Sequence, residues 1–260
     1  MSTKAVQGEL WSISPQNWST HFEPYFLPMY KTVLQQLGVT EDTMLLDAGC
    51  GSGLFSSMAI DAGAQVIGID AAPGLLEVAR QRNPKNNFME EDLEAMPFGN
   101  NSFNVVAGFN SFQYAGNFES ALLEAKRVLK KGGHLVVGIW DKPEASDATH
   151  VLKAIGSLLP PPPPGTPGPF ALSENGKMEN IFKGAGLKLS SKRTVPCPFL
   201  YHSLGNGIKS FMGTGPAAAA MNYADKKTVE ETIAKALQPF RITDDLYFQQ
   251  NHFLVFIAEK

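Results

Sequence analysis

The stretch from Met44 to Ala62 constrains the fold more than any other part of the chain. Met44-Leu45-Leu46 is a short apolar run without alternation, which suits a strand buried on both faces in a parallel sheet. It breaks at Asp47-Ala48-Gly49-Cys50-Gly51-Ser52-Gly53, and helical spacing then runs from Leu54 to Ala62. Glycine at alternate positions permits a sharp turn with positive φ and lets the backbone approach a ligand with no Cβ in the way. A strand that feeds a helix through such a loop is half of a crossover unit. In open α/β sheets, ligands sit outside the carboxyl ends of such strands.

The rhythm continues downstream. Gln65 to Ile69 reads as a strand ended by Asp70, and Pro73 opens a helix to about Arg82. Asn87 to Met89 is a third strand and Phe103 to Phe109 a fourth. Phe118 to Leu129 has helical spacing and is stopped by Lys130-Lys131-Gly132-Gly133, and His134 to Trp140 is a fifth strand. Strands alternating with helices predict right-handed crossovers and a parallel sheet covered on both faces.

The loop is Asp-x-Gly-x-Gly-x-Gly and departs from the dinucleotide fingerprint, which would need glycine where Leu54 stands. Asp47 is also unwelcome beside a pyrophosphate at a helix N-terminus and suits a cationic amino group instead. This disfavours a nicotinamide-dependent oxidoreductase. Asp70, at the end of the second strand, is placed to accept ribose hydroxyls. Asp92, just past the third strand, can accept a hydrogen bond from an adenine amino group. An ammonium, a ribose and a base, met in that order, are the groups of S-adenosyl-L-methionine.

With these residues the sequence resembles the class I S-adenosylmethionine-dependent methyltransferases, the small-molecule type in particular. The matching segments are Leu45 to Gly53, Val66 to Asp70, Asp92 to Phe98, Phe103 to Phe109 and Ala125 to Gly133, in the family's order. The resemblance implies a Rossmann-like α/β fold. Its seven-stranded sheet runs 3-2-1-4-5-7-6, with strand 7 antiparallel and helices on both faces. It also implies that Asn110 faces the methionine end of the cofactor, with Gln113 nearby. The expected cofactor set is then Asp47, Gly49, Gly51, Gly53, Asp70, Ala71, Asp92, Leu93, Asn110 and Gln113. Lys131 stands where the family commonly has proline, and Ala72 where a Ser or Thr often caps the helix.

Composition narrows the acceptor. The 260 residues carry a net charge of -3, and no basic stripe for nucleic acid is visible. The segment after the fourth strand, Asn110-Ser111-Phe112-Gln113-Tyr114, lacks the Asn/Asp-Pro-Pro-Tyr motif of amino-methylating nucleic-acid enzymes. A small-molecule acceptor, methylated on oxygen or nitrogen, is expected. A non-catalytic cofactor-binding or protein-interacting regulator is the alternative. The two cysteines and five scattered histidines have no zinc spacing, so no metal is expected. Cys50 reads as a small buried filler inside the glycine loop. The absence of an apolar leader or of a long apolar run predicts a cytoplasmic protein with no membrane span.

The remaining segments read as additions to one domain. Residues 1–40 hold an aromatic, proline-broken stretch, Trp11 to Tyr30, which reads as a lid over a 41–140 cofactor-binding core. Residues 141–245 read as the acceptor side, with a helix near Ala148 to Leu159 and a stiff polyproline-like crossing over Pro160 to Pro169. Next come a helix capped by Ser173, a strand from Leu187 to Pro198, and mixed helix and loop to Leu237. Phe170, Phe199, Tyr201 and Phe211 are candidates to wall an acceptor pocket, or are core. His202 is the candidate base, ahead of His150 and His21, while His134 and His252 read as structural. Residues 246–260 read as one long final strand that returns to the sheet. The sequence sets no oligomeric state.

Overall fold

A computed structural model describes residues 2–161 and 170–260. Residues 162–169 of the expected proline crossing lie outside that description. The strands are β1 (Met44–Ala48), β2 (Gln65–Asp70), β3 (Asn87–Glu90), β4 (Phe103–Phe109), β5 (Leu129–Trp140), β6 (Lys188–Pro196), β7 (Phe199–Tyr201), β8 (Arg241–Thr243), β9 (Leu246–Gln249) and β10 (His252–Glu259). The helices before β4 are α1 (Lys4–Trp11), the single turn α2 (Pro15–Asn17), α3 (Leu27–Leu37), α4 (Leu54–Asp61) and α5 (Pro73–Arg82). Those after it are α6 (Phe118–Val128), α7 (Ala148–Gly156), α8 (Lys177–Gly184), α9 (Leu204–Met212), α10 (Gly215–Ala220) and α11 (Lys226–Leu237).

The main sheet runs β3-β2-β1-β4-β5-β10-β6. The pairs from β3 to β5 are parallel, and β10 enters antiparallel between β5 and β6. This is the seven-stranded order that the sequence implied. Period-two alternation sends side chains of each strand to two cores. Along β10, Phe253, Val255 and Ile257 face the core built on α3, α4 and α7, with Met29, Phe55 and Val151. Leu254, Phe256 and Ala258 face the core built on α6 and α8, with Leu122, Ala125 and Phe182. Helices on both faces explain why these strands are apolar throughout instead of alternating.

Three local expectations change. The expected strand from Leu246 to Ala258 is two strands. Leu246–Gln249 pairs with β7 and β8 in a separate three-stranded antiparallel sheet, and only His252–Glu259 joins the main sheet. The break falls on Gln250-Asn251. Asn251 is fully buried, and its side chain accepts from Ala148 N–H at 2.9 Å, while Asp147 holds Gln250 N–H at 2.8 Å. The Asp147 bond takes the Gln250 N–H that a continuous ladder would have used, and the Asn251 bond ties the break to the start of α7. Second, Lys130 to Gly133 do not form a turn after α6. They extend β5, and Gly132 N–H reaches the Lys260 carbonyl at 3.0 Å. Third, Ser173 does not cap α8. Its hydroxyl donates to the Phe170 carbonyl at 2.7 Å, and α8 starts after Gly176.

Candidate functional site

The chain switches direction between β1 and β4, because β2 and β3 lie on one side of β1 and β4 on the other. That switch opens a crevice at the carboxyl ends of the strands. Each strand end supplies wall: Gly49 and Gly51 after β1, Asp70 and Ala71 at β2, Glu91, Asp92 and Leu93 after β3, and Asn110 and Ser111 after β4. Leu75, Phe109, Tyr114 and Ala115 complete the sides, and Thr3, Lys4, Gln7, Trp11 and Trp18 close over them. The space between these residues, counted with the solvent at its open mouth, is about 700 Å³.

The glycine loop is held by β2. Gly49 and Cys50 N–H both donate to the Ile69 carbonyl, at 2.8 and 2.9 Å, and Gly51 N–H donates to the Asp70 carboxylate at 2.8 Å. Gly49 has φ +82, and a Cβ there would stand 2.2 Å from Ser111 Cβ, so no other residue fits. Cys50 is buried beside Leu76, Ala79 and Phe88, as a filler. The other Asp70 oxygen accepts Ala72 N–H at 2.9 Å. Asp70 therefore shapes the loop while facing the cleft. Burial pushes its carboxyl above the usual carboxylate range, against the backbone N–H bonds that pull it down.

Asp47 does not reach the wall. It is 1% exposed, and its carboxylate accepts the Ser56 hydroxyl at 2.6 Å, joining the end of β1 to α4 beneath the loop. Burial pushes its pKa from 3.8 up to about 7, and the Ser56 bond opposes the rise. Gly53, the N-cap of α4, also lies off the wall, with φ +78. Gln113 is adjacent but outside the lining, and its amide donates to Asn110 at 3.4 Å. Asn110 itself lines the cleft with φ +49, a left-handed conformation that non-glycine residues rarely hold outside constrained sites. Its N–H to the Gly138 carbonyl, at 2.8 Å, and the Ser111 hydroxyl to the Ala48 carbonyl, at 2.6 Å, hold it there.

Asp92 is half-buried; it accepts Glu94 N–H at 2.9 Å and the Ser2 hydroxyl. The roof is α1, which rests directly on the end of β2. A Cβ on Gly8 would stand 2.2 Å from the Ala71 carbonyl oxygen. Lys4 Nζ donates to the Glu90 carbonyl at 3.1 Å, the Thr3 hydroxyl donates to the Tyr114 carbonyl, and Ser12 accepts Gly74 N–H at 3.0 Å. Trp11 packs edge-on against Trp18 and Tyr114, with centroids 5.0 and 5.5 Å apart. Burial lifts the Tyr114 phenol to about 12, so it stays protonated.

Glu23 escaped the sequence reading. It follows a π-helical turn, Trp18–Phe22, of a kind that recurs at functional sites. At 2% exposure it meets Arg82 at 2.7 Å, the Ser52 hydroxyl, and Leu54 N–H at 3.4 Å. The N-terminal segment is thus clamped to the first turn of α4. The available signal was one acid inside an aromatic run, Phe22-Glu23-Pro24-Tyr25-Phe26. Thr3, Lys4 and Gln7 were also missed, because α1 has little amphipathic contrast.

His202 lies apart from the cleft. It is exposed in the turn after β7, where its neighbour Ser203 caps α9 by accepting Asn206 N–H at 3.0 Å. His150 is exposed as well, and neither it nor His21 lines the cleft. His134 and His252 lie on β5 and β10. Phe199, Tyr201 and Phe211 are at most 1% exposed and pack against Trp18, Phe22 and Phe26. The described part of residues 141–245 supports the roof from behind and contributes no lining residue.

Residues 46–137 match the family model for a methyltransferase domain. The demethylmenaquinone methyltransferase of Renibacterium salmoninarum is 34% identical over 113 residues, 44% of this chain and 48% of that protein. The malonyl-[acyl-carrier protein] O-methyltransferase of Serratia marcescens is 38% identical over 89 residues, 34% of this chain and 35% of that protein. The chain thus spans half or less of the length of these curated relatives. The BH2331 protein of Bacillus halodurans C-125 superposes with a TM-score of 0.59 at 18% identity, covering 89% of this chain and 98% of that one. Strand order, glycine loop and motif match agree: residues 46–137 are similar to a methyltransferase domain, and the sheet has the order of the class I S-adenosylmethionine-dependent methyltransferase fold.

Proposed function

We propose that this protein binds S-adenosyl-L-methionine in the cleft under α1 and transfers its methyl group to a small-molecule acceptor, on oxygen or nitrogen. One observation carries the reading. The ends of four successive strands bring Gly49, Asp70, Asp92 and Asn110 to one cleft whose ionisable walls are mostly acidic. Among the described lining residues Lys4 is the cation, and it is already engaged with the Glu90 carbonyl. Such a site favours a cationic ligand and disfavours a pyrophosphate. The residues present fit the proposed cofactor. Asp70 has lone pairs left for ribose hydroxyls, Asp92 can accept from an adenine amino group, and Leu75 and Leu93 offer apolar faces to the base. The glycine loop leaves room for the amino-acid end.

When bound, the cofactor supplies an already activated methyl group. The protein then has to align the acceptor and keep water out. Trp11, Trp18 and Tyr114 narrow the cleft's access to solvent, and their ring faces favour positive charge. Asn110, held in its strained conformation, presents an amide that can orient an acceptor without taking its proton. Tyr114, protonated at neutral pH, can donate a hydrogen bond but not serve as base. No histidine is among the described lining residues. An acceptor atom that attacks without a strong base, such as a neutral amine or an oxygen already ionised, suits this lining.

Calorimetry with S-adenosylhomocysteine tests the binding half. Binding in the micromolar range is expected, and none at millimolar ligand rejects the reading. Labelled methyl transfer to a metabolite extract tests the catalytic half. Binding without transfer to any metabolite would leave the regulator alternative.

A further inference from the structure

Trp18 carries an indole N–H that is buried and has no hydrogen-bond partner among the described residues. The residue is 8% exposed and lines the cleft. Its Nε1 faces the glycine loop: a Cβ placed on Gly51 would stand 3.3 Å from it. A buried donor left without an acceptor costs about 1–3 kcal/mol, so its persistence calls for an acceptor that comes with the ligand.

Several of the other donors at this loop are already occupied. Leu54 N–H, at the first turn of α4, donates to Glu23. Arg82 donates to the Glu23 carboxylate at 2.7 Å and to the Ser52 carbonyl at 2.9 Å. Gly51 N–H is taken by Asp70. Lys4 is held by Glu90 beside the base-binding end. An anionic group on a ligand lying along Gly49–Gly51 finds the Trp18 N–H open.

We propose that the Trp18 indole N–H binds the carboxylate of the ligand's α-amino-acid end. The assignment rests on the reading of the cleft as an S-adenosylmethionine site. It makes the N-terminal segment part of the binding surface as well as its cover. Trp18 is a binding residue here, and Glu23 positions it by clamping the segment five residues on to α4.

Two probes separate this role from packing: S-adenosylhomocysteine, and S-adenosyl-3-thiopropylamine, which is the same molecule without the carboxylate. Trp18→Phe keeps an aromatic ring against Phe22 and deletes the N–H. It is expected to weaken S-adenosylhomocysteine about ten- to a hundredfold, the usual worth of a hydrogen bond to a charged group. Affinity for the thiopropylamine should change less than about twofold. Equal losses for both ligands, or no loss for either, overturn the proposal. A wild-type protein that binds neither ligand overturns the cofactor reading itself and is a separate result. If Trp18→Phe does not fold, indole N–H resonances of the wild type decide, with Trp18 identified by Trp11→Phe and Trp140→Phe. Its resonance should move downfield with S-adenosylhomocysteine and not with the thiopropylamine, and an identical response to both ligands rejects the assignment.

Discussion

Asp70 does two jobs with one carboxylate. Its oxygens accept Gly51 and Ala72 N–H, and the same group faces the cleft. As a mere strand-end acid it would be dispensable for the fold. The two backbone bonds make it part of the scaffold that shapes the glycine loop. Asp70→Ala should weaken S-adenosylhomocysteine by roughly 1.5–3 kcal/mol and also lower Tm, because two N–H groups lose their acceptor. Unchanged affinity in calorimetry would remove Asp70 from the site. Asp47 is a different case. Burial lifts its pKa to about 7 from the usual 3.8, so the native state keeps this proton to higher pH than the unfolded chain does. The stability attached to it is fully present below about pH 4 and is lost as pH rises through about 7. Asp47→Asn keeps an acceptor for Ser56 and abolishes this dependence. Thermal unfolding of the wild type from about pH 5 to about pH 8 should therefore fall relative to the variant. Parallel curves would show that Asp47 is ionised throughout.

Among the elements, α1 and the turn that follows it decide how closed the cleft is. α1 has no side-chain cap and few buried residues. It is seated by Gly8 on Ala71, by Ser12 on Gly74 and by Lys4 on Glu90. Such a helix carries little stability of its own, and docking holds it in place. Gly8→Ala would press a methyl group into the Ala71 carbonyl and force the helix off its seat, costing about 1–3 kcal/mol of docking. Stopped-flow dissociation of S-adenosylhomocysteine should then speed up by roughly tenfold or more, with the Tm of the core little changed. An unaltered rate would show that α1 does not cover the bound ligand. The Glu23–Arg82 pair acts at the same scale. It joins the N-terminal segment to α4 and α5 through a carboxylate that burial pushes up and Arg82 pulls down.

At the scale of the molecule, residues 141–245, expected to wall an acceptor pocket, contribute no described residue to the lining of the cleft under α1. The described part of that segment contributes to both cores and supplies two strands of the three-stranded sheet, and its aromatics pack beneath the Trp18 turn. His202, the candidate base, is exposed and lies outside that lining. His202→Ala should leave both cofactor affinity and methyl transfer within about twofold, a shift of roughly 0.4 kcal/mol. A loss of turnover alone would return the acceptor site to that segment. Among the described residues no helix is long and apolar enough to cross a membrane.

How much was legible follows from the range of the forces involved. Residues 44–140 were read closely, because buried parallel strands show as apolar runs and their ends are marked by Asp47, Asp70 and the glycines. These are local signals: period, turn chemistry and strand-end acids are written in consecutive residues. The order of the sheet, with β10 between β5 and β6, followed from the family resemblance, since a late apolar strand does not name its neighbours. Only the tertiary structure could bring Trp18 against Gly51, Glu23 onto α4 and α1 over Ala71, or withdraw Asp47 and His202 from the cleft. Those placements depend on contacts between segments tens to hundreds of residues apart, where an aromatic residue in a lid and one in a core look alike until packing decides between them.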